Sequence, residues 1–110
     1  MELTTPRIHV IEKLRYITRL GDEEWESGFW RVTPETAESL INGQMFFHSS
    51  QEERSHFGGM ILSFRLANQA EIARDADFEG RIVFRIKAAN DFKGVKADAG
   101  GWAMEKKIVL

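Results

Sequence analysis

The segment TPETAESLINGQMFFH, residues 33–48, contains the signals for a helix start, a helix end and a following strand. Thr33 is a favourable N-cap, and Pro34 suits the first helical position because its missing N–H is not needed there. Gly43 is the residue type that most often takes the left-handed conformation after a helix. The apolar face of this helix consists of Ala37, Leu40 and Ile41. We therefore predict a two-turn helix that leads directly into a strand at QMFFH (44–48).

Alternating residues of the predicted strand 44–48 face opposite sides of a sheet. This places Phe46 with His48 on one side, and Met45 with Phe47 on the other. Four other segments have the pattern of strands, namely GFWRV (28–32), MILSFRL (60–66), RIVFRIKA (81–88) and WAMEKKIVL (102–110). In the two middle segments the expected buried residues are Met60, Leu62, Phe64 and Leu66, followed by Ile82, Phe84 and Ile86.

The N-terminal segment RIHVIEKLRYITRL, residues 7–20, spaces its apolar side chains as an amphipathic helix does. Those side chains are Val10, Ile11, Leu14 and Ile17. The β-branched residues keep a strand open as the alternative over residues 8–11. A further helical turn is expected around residues 70–73, in an otherwise polar segment.

Runs of strands joined by turns, with one or two short helices near the start, predict an α+β domain. The strands do not alternate regularly with helices, so we expect a small, curved and mostly antiparallel sheet. A length of 110 residues fits one globular domain that spans residues 1–110.

The composition excludes several classes of site. The chain has no cysteine, which rules out disulfides, thiolate zinc ligands and cysteine nucleophiles. Hydrophobic residues make up 43% and charged residues 29%, a balance that argues against disorder. The sequence shows no export signal and no apolar run long enough to cross a membrane. We therefore expect a cytoplasmic protein with no membrane partner.

The charge distribution limits the kind of nucleic-acid contact to expect. A formal net charge of −2 argues against a protein that clamps a phosphate backbone, but it allows recognition of a single base. Basic residues concentrate in the last third of the chain, at Arg81, Arg85, Lys87, Lys93, Lys96, Lys106 and Lys107. Neither Gly58-Gly59 nor Gly100-Gly101 has the spacing of a phosphate loop, so no cofactor is predicted.

The segment FFHSSQEERSHFGG, residues 46–59, is the most unusual stretch of the chain and the candidate site. His48, Glu52 and His56 would align on a helix, yet their spacing matches no established metal motif. The serines near the histidines lack the G-x-S-x-G pattern of a hydrolase nucleophile. Polar side chains between aromatic residues, followed by two glycines, favour a loop that binds a ligand. We therefore predict that this segment contains no metal ligand and no catalytic residue.

The longer segment FWRVTPETAESLINGQMFFH, residues 29–48, resembles the opening of PUA-like domains of the ASCH and EVE kind. In those domains a strand leads into a short helix of the form x-P-x-x-A-x-x-L-x-x-G, and the next strand enters a β-barrel. The resemblance implies a PUA-like barrel as the alternative to an open sheet. It also implies recognition of single nucleotides or modified bases in RNA or DNA, in the groove beside the helix and the following strand.

The position of that groove, together with the loop, gives the candidate ligand-binding residues. They are Trp30, Arg31, Phe47, His48, Ser49, Arg54 and His56. Some small members of that superfamily hydrolyse modified nucleosides, and ASCH proteins usually place Lys-Thr and an acidic residue just after the glycine that ends this helix. Here that place holds Gln44, Met45, Phe46 and Phe47, so the hydrolytic set is absent.

Three functions follow as hypotheses. The first is a binding module for a nucleotide, a modified base or a short nucleic-acid strand. The second is a protein-interaction or regulatory domain, with Trp25 or Trp102 as anchor, because each lies in a polar, turn-like context. The third is a small hydrolase acting on a nucleoside-like metabolite. Its acid–base residues would be His48 or His56 with Glu52 or Glu53.

Overall fold

The computed structural model of the protein describes residues 5–11, 16–97, 100–103 and 106–110. In these ranges the chain forms seven strands, two short α-helices and two 3₁₀ turns. The strands are Arg7–Ile11 (β1), Ile17–Gly21 (β2), Glu24–Trp30 (β3), Gln44–His48 (β4), Phe57–Leu66 (β5), Ile82–Ala88 (β6) and Lys106–Val109 (β7). The helices are Pro34–Ser39 (α1) and Gln69–Arg74 (α2), and the 3₁₀ turns are Ala76–Phe78 and Asn90–Phe92.

All seven strands belong to one open sheet, in the spatial order β2-β3-β6-β5-β4-β1-β7. The β1–β4 pair is parallel, and the other neighbouring pairs are antiparallel. The expected α+β class and the mostly antiparallel sheet are therefore confirmed. Of the strand predicted over residues 102–110, only residues 106–109 form a strand, β7, and Met104 and Glu105 lie outside the described residues.

Both helices begin with side-chain caps. Thr33 accepts a hydrogen bond from Thr36 N at 3.2 Å, and Pro34 is the first residue of α1, as predicted. Asn68 caps α2, which is longer than the helical turn expected around residues 70–73.

Over the part of the chain that the structure describes, no helix is long and apolar enough to cross a membrane.

The connection from α1 to β4 differs from the prediction in one respect. Asn42, not Gly43, has the positive φ angle, at 69°. Gly43 is needed for a close approach instead, because a Cβ at this position would collide with the Pro6 carbonyl oxygen. Gln44 N donates to the same Pro6 oxygen at 2.9 Å. This contact places the start of β4 beside the start of β1.

The helix predicted over residues 7–20 is wrong, since the described parts of this segment form β1 and β2. Leu14, which belonged to the predicted apolar face, lies outside the described residues. The strand alternative over residues 8–11 is confirmed. Strand β1 runs parallel to β4, and its core-facing pairs with that strand are Ile8–Met45 and Val10–Phe47. A buried pairing with a distant strand thus overrides the local helical spacing.

The predicted alternation of β5 is wrong at both ends. Met60 is 48% exposed and Leu66 is 50% exposed, whereas Ile61 is fully buried. The register with β6 shifts between Ile61 and Ser63. Because side chains alternate with a period of two, the extra residue at this shift puts Met60 on the face opposite to that of Phe64. Leu66 lies on the same face as Phe64 but is the last residue of the strand, where it is exposed.

The main core lies on the face of the sheet that α1 covers. Its members are Ile8, Val10, Trp30, Val32, Ala37, Leu40, Met45, Phe47, Ile61, Ile82, Phe84 and Ile86. The predicted buried residues of β6 are all among them, so that prediction is confirmed. We call this side of the sheet the inner face and the opposite side the outer face.

Candidate functional site

The outer face of β1 and β4 carries two buried histidines. His9 is 2% exposed and His48 is not exposed at all. Because Ile8 and Val10 point to the core, His9 between them points to the outer face, and His48 does so for the same reason on β4. Phe46 lies opposite His9 in the parallel register. The two strands therefore place an aromatic ring and two imidazoles side by side.

The two imidazoles are joined directly, with His9 Nδ1 2.8 Å from His48 Nε2. The other nitrogen of His48, Nδ1, lies 2.8 Å from the Glu53 carbonyl oxygen. A carbonyl oxygen can only accept, so His48 Nδ1 carries a hydrogen. When both rings are neutral, His48 Nε2 must then accept the hydrogen bond that His9 Nδ1 donates. The carbonyl oxygen of Glu53 thus sets the direction of both hydrogen bonds, that of His48 and that between the two rings.

Aromatic rings enclose the histidine pair. Phe46 stacks on His9, with ring centroids 4.8 Å apart and planes 16° apart. Trp102 meets His48 edge to face at 5.9 Å and lies 6.3 Å from His9. Phe92 contacts Phe46 at 5.2 Å. The imidazoles therefore have Phe46 of the sheet on one side and Trp102, from the connection after β6, on another.

We call residues 89–97 and 100–103 the covering segment, because they overlie the outer face of β1 and β4. Within this segment Ala97 is buried, while Phe92 and Trp102 are half-buried. The indole Nε1 of Trp102 is buried, and it has no hydrogen-bond partner among the described residues. An unpaired buried donor of this kind is costly and calls for an explanation.

The loop 49–56 holds one end of the covering segment. Ser55 N donates to Val95 O at 2.8 Å, and Gly94 N donates to Ser55 O at 2.7 Å. The Ser55 hydroxyl adds two further bonds, and Arg54 Nη1 donates to Gly94 O at 3.1 Å. The predicted loop is thus confirmed as a loop, and its last residues fasten the covering segment to the sheet.

A cationic side chain lies on the same outer face. Lys107 is opposite His9 in the antiparallel register of β7, and it is only 7% exposed. Directly opposite residues of an antiparallel pair share a face of the sheet. A Cβ built on Gly101, whose φ is 86°, would lie 3.5 Å from Lys107 Cε. The end of the covering segment therefore passes over the stem of this lysine.

The structure does not gather the predicted site residues into one groove. Trp30 and Phe47 are core residues of the inner face, while His48 belongs to the buried pair on the outer face. The remaining members are exposed, namely Arg31, Ser49, Arg54 and His56. His9 is not among the predicted site residues, because it falls inside the wrongly predicted helix. The alternation of Ile8 and Val10 was the signal that would have found it.

The structure also shows where Trp25 and Glu53 lie, the residues named for a protein anchor and for acid–base chemistry. Trp25 packs edge to face on Phe57 at 5.4 Å, on the inner side of the sheet. Glu53 contacts His48 through its backbone carbonyl. Among the described residues, no group of three or more histidine, aspartate or glutamate side chains is arranged to hold a metal ion.

Comparison of the chain with protein-family models, curated proteins and solved structures gives no match.

Proposed function

We propose that the protein binds a planar, hydrogen-bonding heterocycle of the nucleobase kind, between the histidine pair and the covering segment. The ligand would be a free nucleotide, a modified base or one base of a short single strand. The observation that carries this proposal is the buried indole N–H of Trp102, which has no acceptor among the described residues and lies beside the two hydrogen-bonded imidazoles.

The chemistry of the site fits such a ligand. Every base has a π-face that stacks on aromatic side chains, and the indole of Trp102 in the covering segment is such a side chain. An indole nitrogen only donates, so its partner must be an acceptor such as a base carbonyl or ring nitrogen. A hydrocarbon ligand without an acceptor would leave the indole N–H unpaired. The resemblance of residues 29–48 to PUA-like domains supports the same class of ligand.

Entry of the ligand requires the covering segment to move. The connection from Ala88 to Lys106 spans residues 89–105, and its described part contains one 3₁₀ turn as its regular structure. Connections of this length without their own helix or strand commonly act as lids or binding loops. The bonds of Ser55 anchor the first half of the segment. We therefore place the movement in the second half, which carries Trp102.

The test is an NMR titration of the labelled protein with the four ribonucleoside monophosphates and with short single-stranded oligonucleotides. We expect amide shifts on β4 and on residues 92–97 and 100–103. Because one base is recognised, affinity should change little with strand length and with salt. Shifts confined to the exposed loop residues 49–54, or an absence of shifts with every ligand, would contradict the proposal.

The matched variants for this titration are Trp102→Phe and Trp25→Phe. Trp102→Phe keeps a ring but removes the indole N–H, so affinity should fall about fivefold, the effect of one hydrogen bond worth about 1 kcal/mol. Trp25 lies on the inner side of the sheet against Phe57, so its replacement should leave affinity unchanged. Equal effects of the two substitutions would place the ligand elsewhere.

A further inference from the structure

We infer that the ligand is a nucleoside monophosphate, and that its phosphate group binds to Arg54, Lys93 and Lys96 at the first half of the covering segment. The inference rests on the proposed function and adds to it the chemical class of the ligand and the residues that select it. A free base or a nucleoside would leave this part of the site empty.

Three cationic residues lie at the turn around Gly94. Arg54 Nη1 donates to Gly94 O at 3.1 Å, which holds the guanidinium against the turn. Lys93 precedes Gly94 and Lys96 follows it by two residues, so their Cα atoms lie at most about 11 Å apart. All three side chains are exposed, so they carry their charge without the cost of burial. A guanidinium has five N–H donors, which leaves Arg54 donors for an anion.

The three cations form no ion pair with a carboxylate in the part of the chain that the structure describes. Glu53 and Asp91 are their close neighbours in sequence, and both are exposed and form no such pair. The positive charge at the turn is therefore available to an anionic ligand. Phosphate oxygens are the acceptors that a guanidinium fork and lysine ammonium groups commonly bind in proteins.

The arginines on the neighbouring strands of the outer face differ in this respect. Arg65 on β5 pairs with Glu26 at 3.0 Å, and Arg85 on β6 pairs with Glu24 at 2.6 Å. These carboxylates neutralise cations that could otherwise bind the further phosphates of a strand. The distribution of paired and unpaired charge therefore favours one phosphate at the turn, and contact with one phosphate keeps the dependence of affinity on salt small.

The turn adjoins the proposed base site. The Glu53 carbonyl oxygen lies 2.8 Å from His48 Nδ1, and Arg54 is the next residue of the chain after that carbonyl. The ring of His48 meets that of Trp102, with centroids 5.9 Å apart. A base beside the indole is thus separated from Arg54 by about the width of one imidazole, a distance that the ribose of a nucleotide spans.

The anchoring of the turn suits it to this role. Ser55 bonds to Gly94 and Val95 through its backbone and its hydroxyl, so the turn keeps its place on the loop. A fixed turn positions its cations before the ligand arrives, which lowers the entropic cost of binding. The movement that admits the base remains in the second half of the covering segment.

The test is isothermal titration calorimetry with the four ribonucleosides, their 5′-monophosphates and ribose 5-phosphate. The monophosphate that binds should do so roughly tenfold more tightly than its nucleoside, as expected for charge-assisted contacts at an exposed position. Equal affinities would overturn the inference while the proposed function stands. If ribose 5-phosphate binds as tightly as the nucleotide, or if no ligand binds, the proposed function fails and the inference fails with it.

Variants of the three cations assign the phosphate contact. Arg54→Gln keeps a donor for Gly94 O but removes the charge, so the ratio of monophosphate to nucleoside affinity should fall to about twofold. The double variant Lys93→Gln/Lys96→Gln should lower the same ratio without altering the bond to Gly94. A merely structural effect would weaken both ligands and leave their ratio as in the wild type, which would overturn the inference.

Arg74→Gln is the control of equal charge change. Arg74 is exposed on α2, which follows the end of β5 that lies farthest from loop 49–56. The ratio of the two affinities should therefore remain that of the wild type. A fall in the ratio equal to that of Arg54→Gln would show an effect of net charge alone, and the inference would be wrong.

Discussion

Ser55 and Val95 are joined by two hydrogen bonds, from Ser55 N to Val95 O at 2.8 Å and from Val95 N to Ser55 Oγ at 2.9 Å. The same hydroxyl donates to Phe92 O at 2.5 Å, and Ser55 is only 4% exposed. One small side chain therefore fixes both sides of the turn 92–95. This makes Ser55 the residue that fastens the covering segment to the loop before β5.

Ser55→Ala should lower the free energy of unfolding by about 1–3 kcal/mol, because it leaves the Val95 N–H and the Phe92 carbonyl without their partner. Amides of residues 92–97 should also exchange faster, since the segment is released locally. Urea unfolding and hydrogen exchange measure the two effects. Ser49 is exposed, so Ser49→Ala is the matched control and should change neither quantity. Equal effects of the two substitutions would contradict this role of Ser55.

Gly58 and Gly59 are required by close contacts on the two faces of β5. A Cβ at Gly58 would collide with the Met45 carbonyl oxygen and lie 2.9 Å from Phe92 Cβ. A Cβ at Gly59 would collide with the Lys87 carbonyl oxygen. Because backbone atoms cannot move aside, each Gly→Ala substitution should destabilise the fold by about 2–4 kcal/mol. Only Gly58→Ala should also change the chemical shifts of the Phe92 ring.

Gly21→Ala is the control for these substitutions, because a Cβ there would meet nothing within 4 Å. Its effect on thermal or urea unfolding should stay within about 1 kcal/mol. A loss comparable to that of Gly59→Ala would mean that the conformational freedom of glycine, not the close contact, decides stability at these positions.

The sequence predicts the local elements of this fold better than its long-range pairing. Helix α1 and strands β4 and β6 each carry a complete local signal, in the cap at Thr33 or in alternating side chains. Residues 7–20 have apolar spacing that fits a helix, and only pairing with β4 decides for a strand. The bulge after Ile61 is likewise set by the register with β6. These features depend on partners that the local pattern does not contain.

Dependence on distant partners also explains why the local sequence does not predict the pairing of His9 with His48. His48 was selected from an unusual loop sequence, but its partner His9 is 39 residues away and meets it through a parallel pairing. Trp102 was noted for its polar neighbours, yet its place over the two imidazoles depends on how the connection from β6 to β7 folds back. Trp30 and Phe47, which the position of the groove predicts as ligand-binding residues, belong to the core of the inner face.

Glu71 links helix α2 to the sheet. Its carboxylate receives two hydrogen bonds from Arg65, at 2.7 and 2.9 Å, and one from Asn68 N at 2.8 Å. The Arg65 bonds, with a smaller contribution from Asn68, hold the pKa of Glu71 below its usual value. Glu71→Gln should destabilise the protein by about 1 kcal/mol near neutral pH, a modest effect because Arg65 is 36% exposed and screened by solvent.

The pH dependence of this effect has a definite sign. A carboxylate with a lowered pKa stabilises the folded state above the pKa of the unfolded chain, and this contribution is lost as pH falls. The difference in unfolding free energy between wild type and Glu71→Gln should therefore be largest near neutral pH and shrink below about pH 4. Glu79→Gln, at an exposed position, should show little difference at any pH. A difference that grows on acidification would contradict the assignment.

Trp102 and Trp30 give opposite predictions for the same substitution. Trp30 Nε1 donates to the hydroxyl of Ser27, which is fully buried, at 3.0 Å. Trp30→Phe leaves that hydroxyl without its donor and should cost about 1–3 kcal/mol. Trp102→Phe removes a donor that is already buried without a partner among the described residues, so its cost should stay below about 1 kcal/mol.

Urea unfolding of the two variants, in the absence of ligand, measures this difference. If Trp102 is kept for binding, Trp102→Phe should fold nearly as well as the wild type while losing affinity for nucleotides. Proteins often retain such locally unfavourable groups where function requires them. A destabilisation equal to that of Trp30→Phe would mean that the indole N–H of Trp102 contributes to the fold itself, and the main argument for a ligand at this position would be lost.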